Sequence, residues 1–361
     1  MVKPNAHLAQ LPMYEPGRPI EDVARELNLD PARIIKLASN ENPLGPSPRA
    51  IEAIHRVASG CHLYPDGNGF LLRRAIAAKH GLDVGQVVLG NGSNEIIEFV
   101  GHAFLSPGDE LVISQYAFAV YEIVGRMFQA VVREIPARHF GCDLSAMRKA
   151  ITSKTRVLFI ANPNNPTGTM VSRAELEEFL LSIPGHCLVV VDEAYQEFLA
   201  NPLDTPGLIA KLPNLVVMRT FSKVLGLAGL RLGYGLADGK VAAHLQRVRQ
   251  PFQANLVAQA AALAALGDEE HITKTVRAVT SGRSWLEQQF AHRHLEFVPS
   301  YANFVLVKVG DGQKIFEALL RKGVIVRPMK GYQLPEWIRV SVGTEQQNQR
   351  FIAALDETMT S

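Results

Sequence analysis

A lysine within an apolar, glycine-rich segment is the first residue in this sequence that could do chemistry. Lys223 lies in RTFSKVLGLAGLRLGY (residues 219–234), with Ser222 before it and Arg231 eight residues later. A desolvated lysine has a lowered pKa and becomes a nucleophile for carbonyl groups, and an arginine offers a planar fork to a phosphate. A lysine whose stem packs on apolar neighbours is the commoner arrangement. Because that interpretation leaves the arginine unexplained, the segment predicts a nucleophilic lysine beside an anion site.

Polar residues also follow two predicted strands earlier in the chain. In VVLGNGSNE, Ser93 and Asn94 stand where a helix is expected to begin, and the free N–H groups of a helix N-terminus bind anions. The segment lacks both the third glycine of a dinucleotide fingerprint and the GK[ST] of a nucleotide-binding loop, so a single phosphate fits it best. In FIANPNNPTG, the amide of Asn165 could donate to a ring oxygen. An ordinary capped helix and an Asn-Pro turn are the alternatives.

A carboxylate ends the apolar strand in LVVVDEAYQEF. Asp192 follows four aliphatic residues there. Because a carboxylate is costly to desolvate without a partner, Asp192 is either a helix N-cap or the partner of a protonated ring nitrogen. If DEAYQEF is helical, Tyr195 lies one turn further along on the same side.

The four segments together predict one ligand, since ligand groups gather at the carboxyl ends of strands in open parallel sheets. That ligand needs an aldehyde, a phosphate, a basic ring nitrogen and a phenolic oxygen. Lys223 would meet the aldehyde, and Asp192 would meet the ring nitrogen. Tyr195 and Asn165 would bind the phenolic oxygen. The phosphate would be bound by Ser93, Asn94, Ser222 and Arg231. Pyridoxal 5′-phosphate carries all four groups, and proteins hold it through a lysine Schiff base with an acidic partner for the ring nitrogen.

Composition excludes several other classes of protein. The 361 residues carry a net charge of +2, so no global field attracts nucleic acid or a membrane surface, and neither is expected as a partner. Three widely separated cysteines favour a reducing, cytoplasmic location. The sequence contains no apolar run long enough to span a membrane and no N-terminal leader pattern. The histidines of the HRH stretch (residues 292–294) lack a third ligand nearby, so no metal site is expected.

Alternating helical and strand patterns between residues 48 and 250 predict the α/β class. The strand segments are continuously apolar, which is typical of a mostly parallel sheet covered by helices on both faces. The C-terminal patterns indicate a smaller α+β domain. We expect an N-terminal arm (residues 1–45) packed with the small domain, a large cofactor-binding domain (46–250) and a small domain (251–361).

Motifs over nearly the whole chain carry a family resemblance. They are LASNENPLGPSP, YPDGNGFLLRRAIA, NGSNE, NPNNPTG, VDEAY, RTFSKVLGLAGLRLGY, SYANFVLV and WIRVSVGT. In combination they resemble the fold-type I pyridoxal-phosphate aminotransferases, and the first and last motifs are most similar to the histidinol-phosphate aminotransferase subfamily. The resemblance implies an aspartate-aminotransferase-like fold, a large domain with a mostly parallel mixed sheet between helices plus a smaller α+β domain. It also implies ping-pong transfer through pyridoxamine phosphate, and a homodimer.

The resemblance also implies roles in the cofactor site. Lys223 is the catalytic lysine, Asp192 keeps the ring nitrogen protonated, and the phosphate and ring-oxygen contacts are those inferred above. Tyr64, in YPDG, matches a residue that reaches the phosphate across a dimer interface. The segment SQYAFAVY departs from the family's Pro-Thr-aromatic-x-x-Tyr pattern. Spacing from Tyr121 favours Phe118 as the aromatic that stacks on the ring, and Tyr116 is the competitor.

The same resemblance implies a substrate site. Arg339, in WIRVSVGT, matches the family's acid-binding arginine, and Tyr14 and Asn42 match positions on an arm that closes over the substrate. Arg327, in VIVRP, could add a second fork, because a phosphate monoester benefits from two arginines whereas a carboxylate needs one. A surface ion pair is the alternative for Arg327. We therefore expect conversion of histidinol phosphate and 2-oxoglutarate to imidazole acetol phosphate and glutamate.

Two alternatives share the predicted cofactor site. An aromatic amino-acid aminotransferase is one, since a pocket for imidazole can admit a phenyl ring. A lyase similar to threonine-phosphate decarboxylase is the other, because the choice of reaction depends on which Cα bond lies perpendicular to the cofactor ring. A transcription regulator built on this fold is disfavoured, since the 45-residue arm has no room for a helix-turn-helix domain.

Overall fold

Seven strands between residues 87 and 237 form one sheet in the computed structural model, which describes residues 2–3, 5–11, 13–14 and 16–360. In chain order the strands are β1 (Ile35–Lys36), β2 (Val87–Gly90), β3 (Glu110–Ser114), β4 (Val131–Ile135), β5 (Thr155–Ala161), β6 (Leu188–Asp192), β7 (Leu215–Thr220), β8 (Gly233–Ala237), β9 (Phe297–Val298), β10 (Phe304–Lys308), β11 (Val324–Ile325), β12 (Arg327–Pro328) and β13 (Trp337–Ser341). The α-helices are α1 (Ile20–Leu27), α2 (Pro48–Val57), α3 (Phe70–His80), α4 (Ser93–Phe104), α5 (Ala119–Met127), α6 (Leu144–Lys149), α7 (Arg173–Leu181), α8 (Gly239–Arg247), α9 (Leu256–Leu266), α10 (Glu269–His292), α11 (Gly312–Arg321) and α12 (Glu345–Met359).

The main sheet has the strand order β2-β8-β7-β6-β5-β3-β4. β8 runs antiparallel to both of its neighbours, and the other pairs are parallel. β3, β6 and β7 are buried along their whole length, as their continuous apolar runs predict, whereas the edge strand β4 is partly exposed. Successive residues of β6 enter two different cores, Val189 and Val191 on one face and Val190 on the other. Helices therefore cover both faces of the sheet.

A smaller sheet, β12-β13-β10-β9, is antiparallel throughout. It packs on α11, α12 and the end of α10 around a separate core. Residues of the N-terminal arm enter the same core, among them Val23 and Leu37, and β1 pairs in parallel with β11. The arm is thus anchored to the C-terminal part of the chain.

The change from one core to the other occurs later than the predicted boundary at residue 250. α9 packs against α2 and α3, and its Ala258 and Ala262 belong to the core of the main sheet. Along α10, Val279 still enters that core, whereas Leu286 and Phe290 enter the C-terminal one. The packing argues for a division of the domains within α10.

Among the described residues, every helix is too short or too polar to cross a lipid bilayer. The same part of the chain holds no cluster of three or more His, Cys, Asp and Glu side chains arranged to bind a metal ion.

Candidate active site

A cavity opens where β5, β6 and β7 end, at Ala161, Asp192 and Thr220. The small sheet closes its other side with Arg327 and Arg339. The lining holds four basic side chains and two acidic ones, Lys223, Arg231, Arg327 and Arg339 against Glu41 and Asp192. The cavity therefore favours an anionic ligand.

Lys223 lies in the turn that follows β7, with its ammonium pointed into the cavity. Its Nζ donates a hydrogen bond to the Ser39 carbonyl at 3.1 Å and lies 5.6 Å from the centre of the Tyr195 ring. Burial, reinforced by the positive charge of Arg339, lowers the pKa of Lys223 to about 8. The unprotonated, nucleophilic amine is therefore far more populated near neutral pH than in an exposed lysine.

Asp192, the last residue of β6, is buried, and both of its carboxylate oxygens are hydrogen-bonded. Oδ2 accepts from the Tyr121 hydroxyl at 2.6 Å, and Oδ1 accepts from the Ala194 backbone N–H at 3.1 Å. Burial raises the pKa of Asp192, while the hydrogen bond from Tyr121 opposes that rise. The segment after Asp192 does not form the α-helix that the alternative interpretation needs, since only a 3₁₀ turn follows, at Gln196–Phe198.

Tyr195 is held by a residue of the N-terminal arm that the sequence analysis did not select. Asn40 Nδ2 donates to the Tyr195 hydroxyl at 3.0 Å. The Ser341 hydroxyl donates to Asn40 Oδ1 at 3.1 Å and accepts from the Asn40 N–H at 2.8 Å. Burial raises the pKa of Tyr195 to about 12, so the phenol stays protonated and able to donate. Asn40 lies in the motif LASNENPLG, which could have suggested it, but the pattern alone did not distinguish Asn40 from Asn42.

A cradle for a phosphate lies at the N-terminus of α4. Gly92, the residue before this helix, has φ 82°, and a Cβ on it would lie 2.4 Å from Arg231 Nη2. A Cβ on Gly233 of β8 would lie 2.4 Å from the Ser93 nitrogen. The two glycines therefore allow a guanidinium and the first N–H groups of the helix to converge on one anion. The predicted phosphate ligands that line the cavity are Ser93, Asn94, Ser222 and Arg231.

Arg339, on β13, is buried, and among the described residues the hydrogen-bond partners of its Nη atoms are neutral. Nη1 donates to Asn165 Oδ1, and Nη2 donates to the Ala38 carbonyl at 2.9 Å. Its Nε has no hydrogen-bond partner in the part of the chain that the structure describes. Burial lowers the pKa of this arginine, yet a guanidinium stays charged in proteins. A buried cation held only by neutral groups is suited to a carboxylate or phosphate ligand.

Of the two aromatic candidates, Phe118 lines the cavity and Tyr116 lies outside it. Tyr116 instead stacks on Phe140, with ring centres 5.9 Å apart. Phe118 stands edge-to-face with Tyr121 and contacts Tyr14 in the same manner at 6.3 Å. The geometry therefore favours Phe118 as the aromatic next to a bound ring.

Two predicted site residues lie outside the cavity of their own chain. Asn42 Nδ2 donates to the Val224 carbonyl at 2.8 Å, which ties the arm to the residue after Lys223. The substrate contact of Asn42 stays a prediction, and in this structure its amide bonds to the backbone. Tyr64 is 83% exposed and stacks on Phe252 with ring centres 4.6 Å apart.

The remaining predicted residues line the cavity: Tyr14, Asn165, Asp192, Tyr195, Lys223, Arg327 and Arg339. Tyr332, which follows β12, also lines it and was not found from sequence. The set fits pyridoxal 5′-phosphate on chemical grounds, because it combines a buried amine, a buried carboxylate, phenol and amide donors, and the glycine-lined cradle at α4.

Comparison with known proteins agrees with this site. Residues 32–355 match the family model for class I and II aminotransferases. A histidinol-phosphate aminotransferase of Akkermansia muciniphila is 50% identical over 98% of this chain and 98% of its own. The structure resembles that of histidinol-phosphate aminotransferase from Sinorhizobium meliloti in complex with pyridoxal 5′-phosphate, with a TM-score of 0.90 and 25% identity over 100% of this chain and 98% of that one.

A tetra mutant of Thermus thermophilus aspartate aminotransferase has the same fold, with a TM-score of 0.82 and 23% identity over 100% of this chain and 99% of that one. This likeness confirms the predicted aspartate-aminotransferase-like fold. The chain belongs to the class I and II aminotransferase family and, within it, to the histidinol-phosphate aminotransferases.

Proposed function

We propose that this chain transfers an amino group from histidinol phosphate to 2-oxoglutarate with pyridoxal 5′-phosphate as cofactor. The observation that carries the proposal is the meeting of buried Lys223, buried Asp192 and the glycine-lined cradle in one cavity, opposite the buried guanidinium of Arg339. The relatives named histidinol-phosphate aminotransferase, which match this chain over nearly its full length, support the choice of substrate.

The cofactor would be held at three places by groups of this chain. Among the residues that line the cavity, Ser93, Asn94, Ser222 and Arg231 would bind its phosphate, Tyr195 and Asn165 would donate to its ring oxygen, and Phe118 would pack on its ring. Asp192 would face the ring nitrogen and balance the positive charge there. When bound, the cofactor supplies an aldehyde that captures an amino group and a ring that withdraws electrons from the substrate Cα.

Lys223 moves the proton in this scheme. Because its pKa is lowered to about 8, its Nζ is a base of suitable strength near neutral pH. The amine would take a proton from the substrate Cα and deliver it to the cofactor carbon that carried the aldehyde, so the same group serves as base and then as acid. The buried site excludes water during this transfer.

Arg327 and Arg339 orient the substrate. They stand directly opposite each other on the antiparallel strands β12 and β13, so their side chains share one face of the small sheet. We assign Arg339 to the carboxylate of 2-oxoglutarate and glutamate, and both arginines to the phosphate of histidinol phosphate. A phosphate monoester carries almost two negative charges, so a second arginine guanidinium strengthens its binding.

Half-reactions test the substrate proposal. The purified holoenzyme is mixed in a stopped-flow spectrometer with L-histidinol phosphate, L-phenylalanine or L-threonine phosphate, in separate experiments. We expect rapid loss of the cofactor's visible absorbance with histidinol phosphate, reversed by 2-oxoglutarate, because only this donor offers an imidazole and a phosphate together. Faster loss with phenylalanine would instead make the protein an aromatic aminotransferase. Carbon dioxide release from threonine phosphate would make it a decarboxylase.

We further propose a homodimer in which Tyr64 completes the phosphate site of the other subunit. Tyr64 stacks on Phe252, which is 44% exposed, and the exposed apolar residues Leu63 (64%), Phe70 (50%) and Leu71 (58%) lie near it in the chain. Exposed apolar residues are typical of interaction surfaces where they form a patch. In the single chain Tyr64 stays outside the cavity, which agrees with a role across an interface.

Mixing two inactive variants tests this arrangement. In a hybrid dimer of Tyr64→Ala and Lys223→Ala chains, one site has both defects and the other has neither, if Tyr64 acts across the interface. We then expect the hybrid to recover about half of the wild-type activity per dimer. A monomer by light scattering, or a hybrid without activity, would contradict the proposal.

We also propose that the protein works in the cytoplasm, where its three cysteines stay reduced. Cys61, Cys142 and Cys187 are all free in the structure. Activity recovered in the membrane or exported fraction of fractionated cells would contradict this location.

A further inference from the structure

The carboxylate of Asp192 is oriented by a tyrosine to which no role in the site has been given above. Tyr121 is fully buried, and its hydroxyl donates to Asp192 Oδ2 at 2.6 Å. The other oxygen, Oδ1, accepts from the Ala194 N–H, so the plane of the carboxylate is fixed from two sides. Hydrogen bonds between a hydroxyl and a carboxylate are short and roughly twice as strong as neutral ones.

The ring of Tyr121 is itself held rigidly. It lies on α5 and stacks on Phe159 of β5, with ring centres 4.5 Å apart and planes 2° from parallel. On its other side it meets Phe118 edge-to-face at 5.7 Å and 84°. Tyr121 therefore contacts both Asp192, which would face the ring nitrogen of a bound cofactor, and Phe118, which would pack on its ring.

This arrangement matters because Asp192 is buried. A carboxylate in an apolar interior tends toward its neutral form unless donors or positive charges compensate for lost water. Tyr121, which lines the same cavity, supplies such a donor to Oδ2 of the carboxylate. The charged groups near Asp192 are Lys223 in the cavity and Glu193 next to it in the chain, and Tyr195 lies nearby.

We propose that Tyr121 is a positioning residue of the cofactor site, whose hydroxyl holds the Asp192 carboxylate charged and aimed at the protonated ring nitrogen of pyridoxal 5′-phosphate. The inference rests on the cofactor role proposed for Asp192. In this role Tyr121, an α5 side chain, acts on the ring nitrogen through Asp192.

The test is a double-mutant cycle on cofactor affinity. Tyr121→Phe removes the hydroxyl and keeps the stacked ring, and Asp192→Asn removes the charge that the hydroxyl supports. Calorimetry measures the Kd of the cofactor-free chain for pyridoxal 5′-phosphate. We expect Tyr121→Phe to weaken binding about tenfold in the wild-type background, the lower end for a hydrogen bond to a charged group, and to have almost no effect in the Asp192→Asn background.

A matched control and a spectroscopic readout separate positioning from packing. Tyr234→Phe removes another buried tyrosine hydroxyl, which lies 3.2 Å from His80 Nε2 and outside the cavity. With cofactor labelled at the ring nitrogen, we expect the ¹⁵N resonance to move toward the unprotonated value in Tyr121→Phe and to stay unchanged in Tyr234→Phe.

Three results have distinct meanings. An unchanged Kd and ¹⁵N resonance in Tyr121→Phe would overturn the role of Tyr121 and leave the proposed function intact. An equal loss of affinity in both Asp192 backgrounds would assign Tyr121 to packing alone and overturn the inference as well. A wild-type chain that binds no pyridoxal 5′-phosphate would overturn the proposed function itself, and this inference with it.

Discussion

Replacing Lys223 by alanine lowers turnover about 10⁴-fold, because the variant loses both the group that holds the cofactor covalently and the base that moves the Cα proton. The buried amine lies between the Ser39 carbonyl and the Tyr195 ring, and no other lysine lines the cavity in the described part of the chain. Steady-state assays with histidinol phosphate and 2-oxoglutarate measure the loss. After borohydride reduction, mass spectrometry should find cofactor on the peptide that contains Lys223 in the wild type and on no peptide in the variant.

Lys79→Ala is the control for this experiment. Lys79 lies on the surface, 3.4 Å from Glu269, and its removal should change turnover by less than about twofold. A Lys223→Ala chain that keeps most of its activity would contradict the proposed mechanism.

The rate at which the cofactor-free chain captures pyridoxal 5′-phosphate should also depend on pH. Burial lowers the pKa of Lys223 to about 8, so protonation removes the nucleophile as the pH falls through this value. We expect capture to slow about tenfold for each pH unit well below 8 and to level off above it. A rate that keeps rising up to pH 10 would show a lysine with an ordinary pKa.

Replacing Arg339 by glutamine lowers kcat/KM for both substrates by about 10²–10³, the loss of two hydrogen bonds from a charged group. Arg339 is buried, its Nη atoms bond to neutral groups within the described part of the chain, and its guanidinium lies 5.1 Å from the Phe304 ring. The value of kcat/KM should fall for both substrates, because each presents its anionic group to this arginine. Half-reaction kinetics with histidinol phosphate and with glutamate measure the two losses separately.

Arg327→Gln distinguishes the two anionic groups. Since we assign Arg327 to the phosphate, its loss should lower kcat/KM about tenfold or more for histidinol phosphate and leave glutamate within about twofold. Arg293→Gln, at an arginine bound to Asp356 away from the cavity, is the matched control. Equal losses of kcat/KM for both substrates in Arg327→Gln would contradict the assignment of Arg327 to the phosphate.

Residues that follow apolar strands could be found from sequence, because the carboxyl ends of parallel strands meet at one edge of a sheet. Lys223, Asp192 and Asn165 all stand just after strands β7, β6 and β5, or at their last residue, and the structure brings them to one cavity. The phosphate cradle was equally local, since Ser93 begins α4 directly after β2 and a glycine. The local sequence pattern alone was enough to predict this part of the site.

Contacts between distant segments could not be found in that way. Asn40 and Asn42 stand two residues apart in the same motif, yet only Asn40 reaches Tyr195. Its backbone has φ 55°, and Ser341, 301 residues away, binds both its N–H and its side chain. Nothing in the local pattern specifies a partner at that separation.

The sequence by itself determined the order of strands and helices, the lysine and carboxylate at the strand ends and the anion site at α4, because each depends on near neighbours in the chain. Only the tertiary structure showed that Phe118, the aromatic that spacing favours, lines the cavity whereas Tyr116 does not, that the Tyr121 hydroxyl binds Asp192, and that α9 packs with the main sheet. These three depend on which surfaces pack together. Packing is set by side chains that are far apart in sequence and become neighbours only when the chain folds.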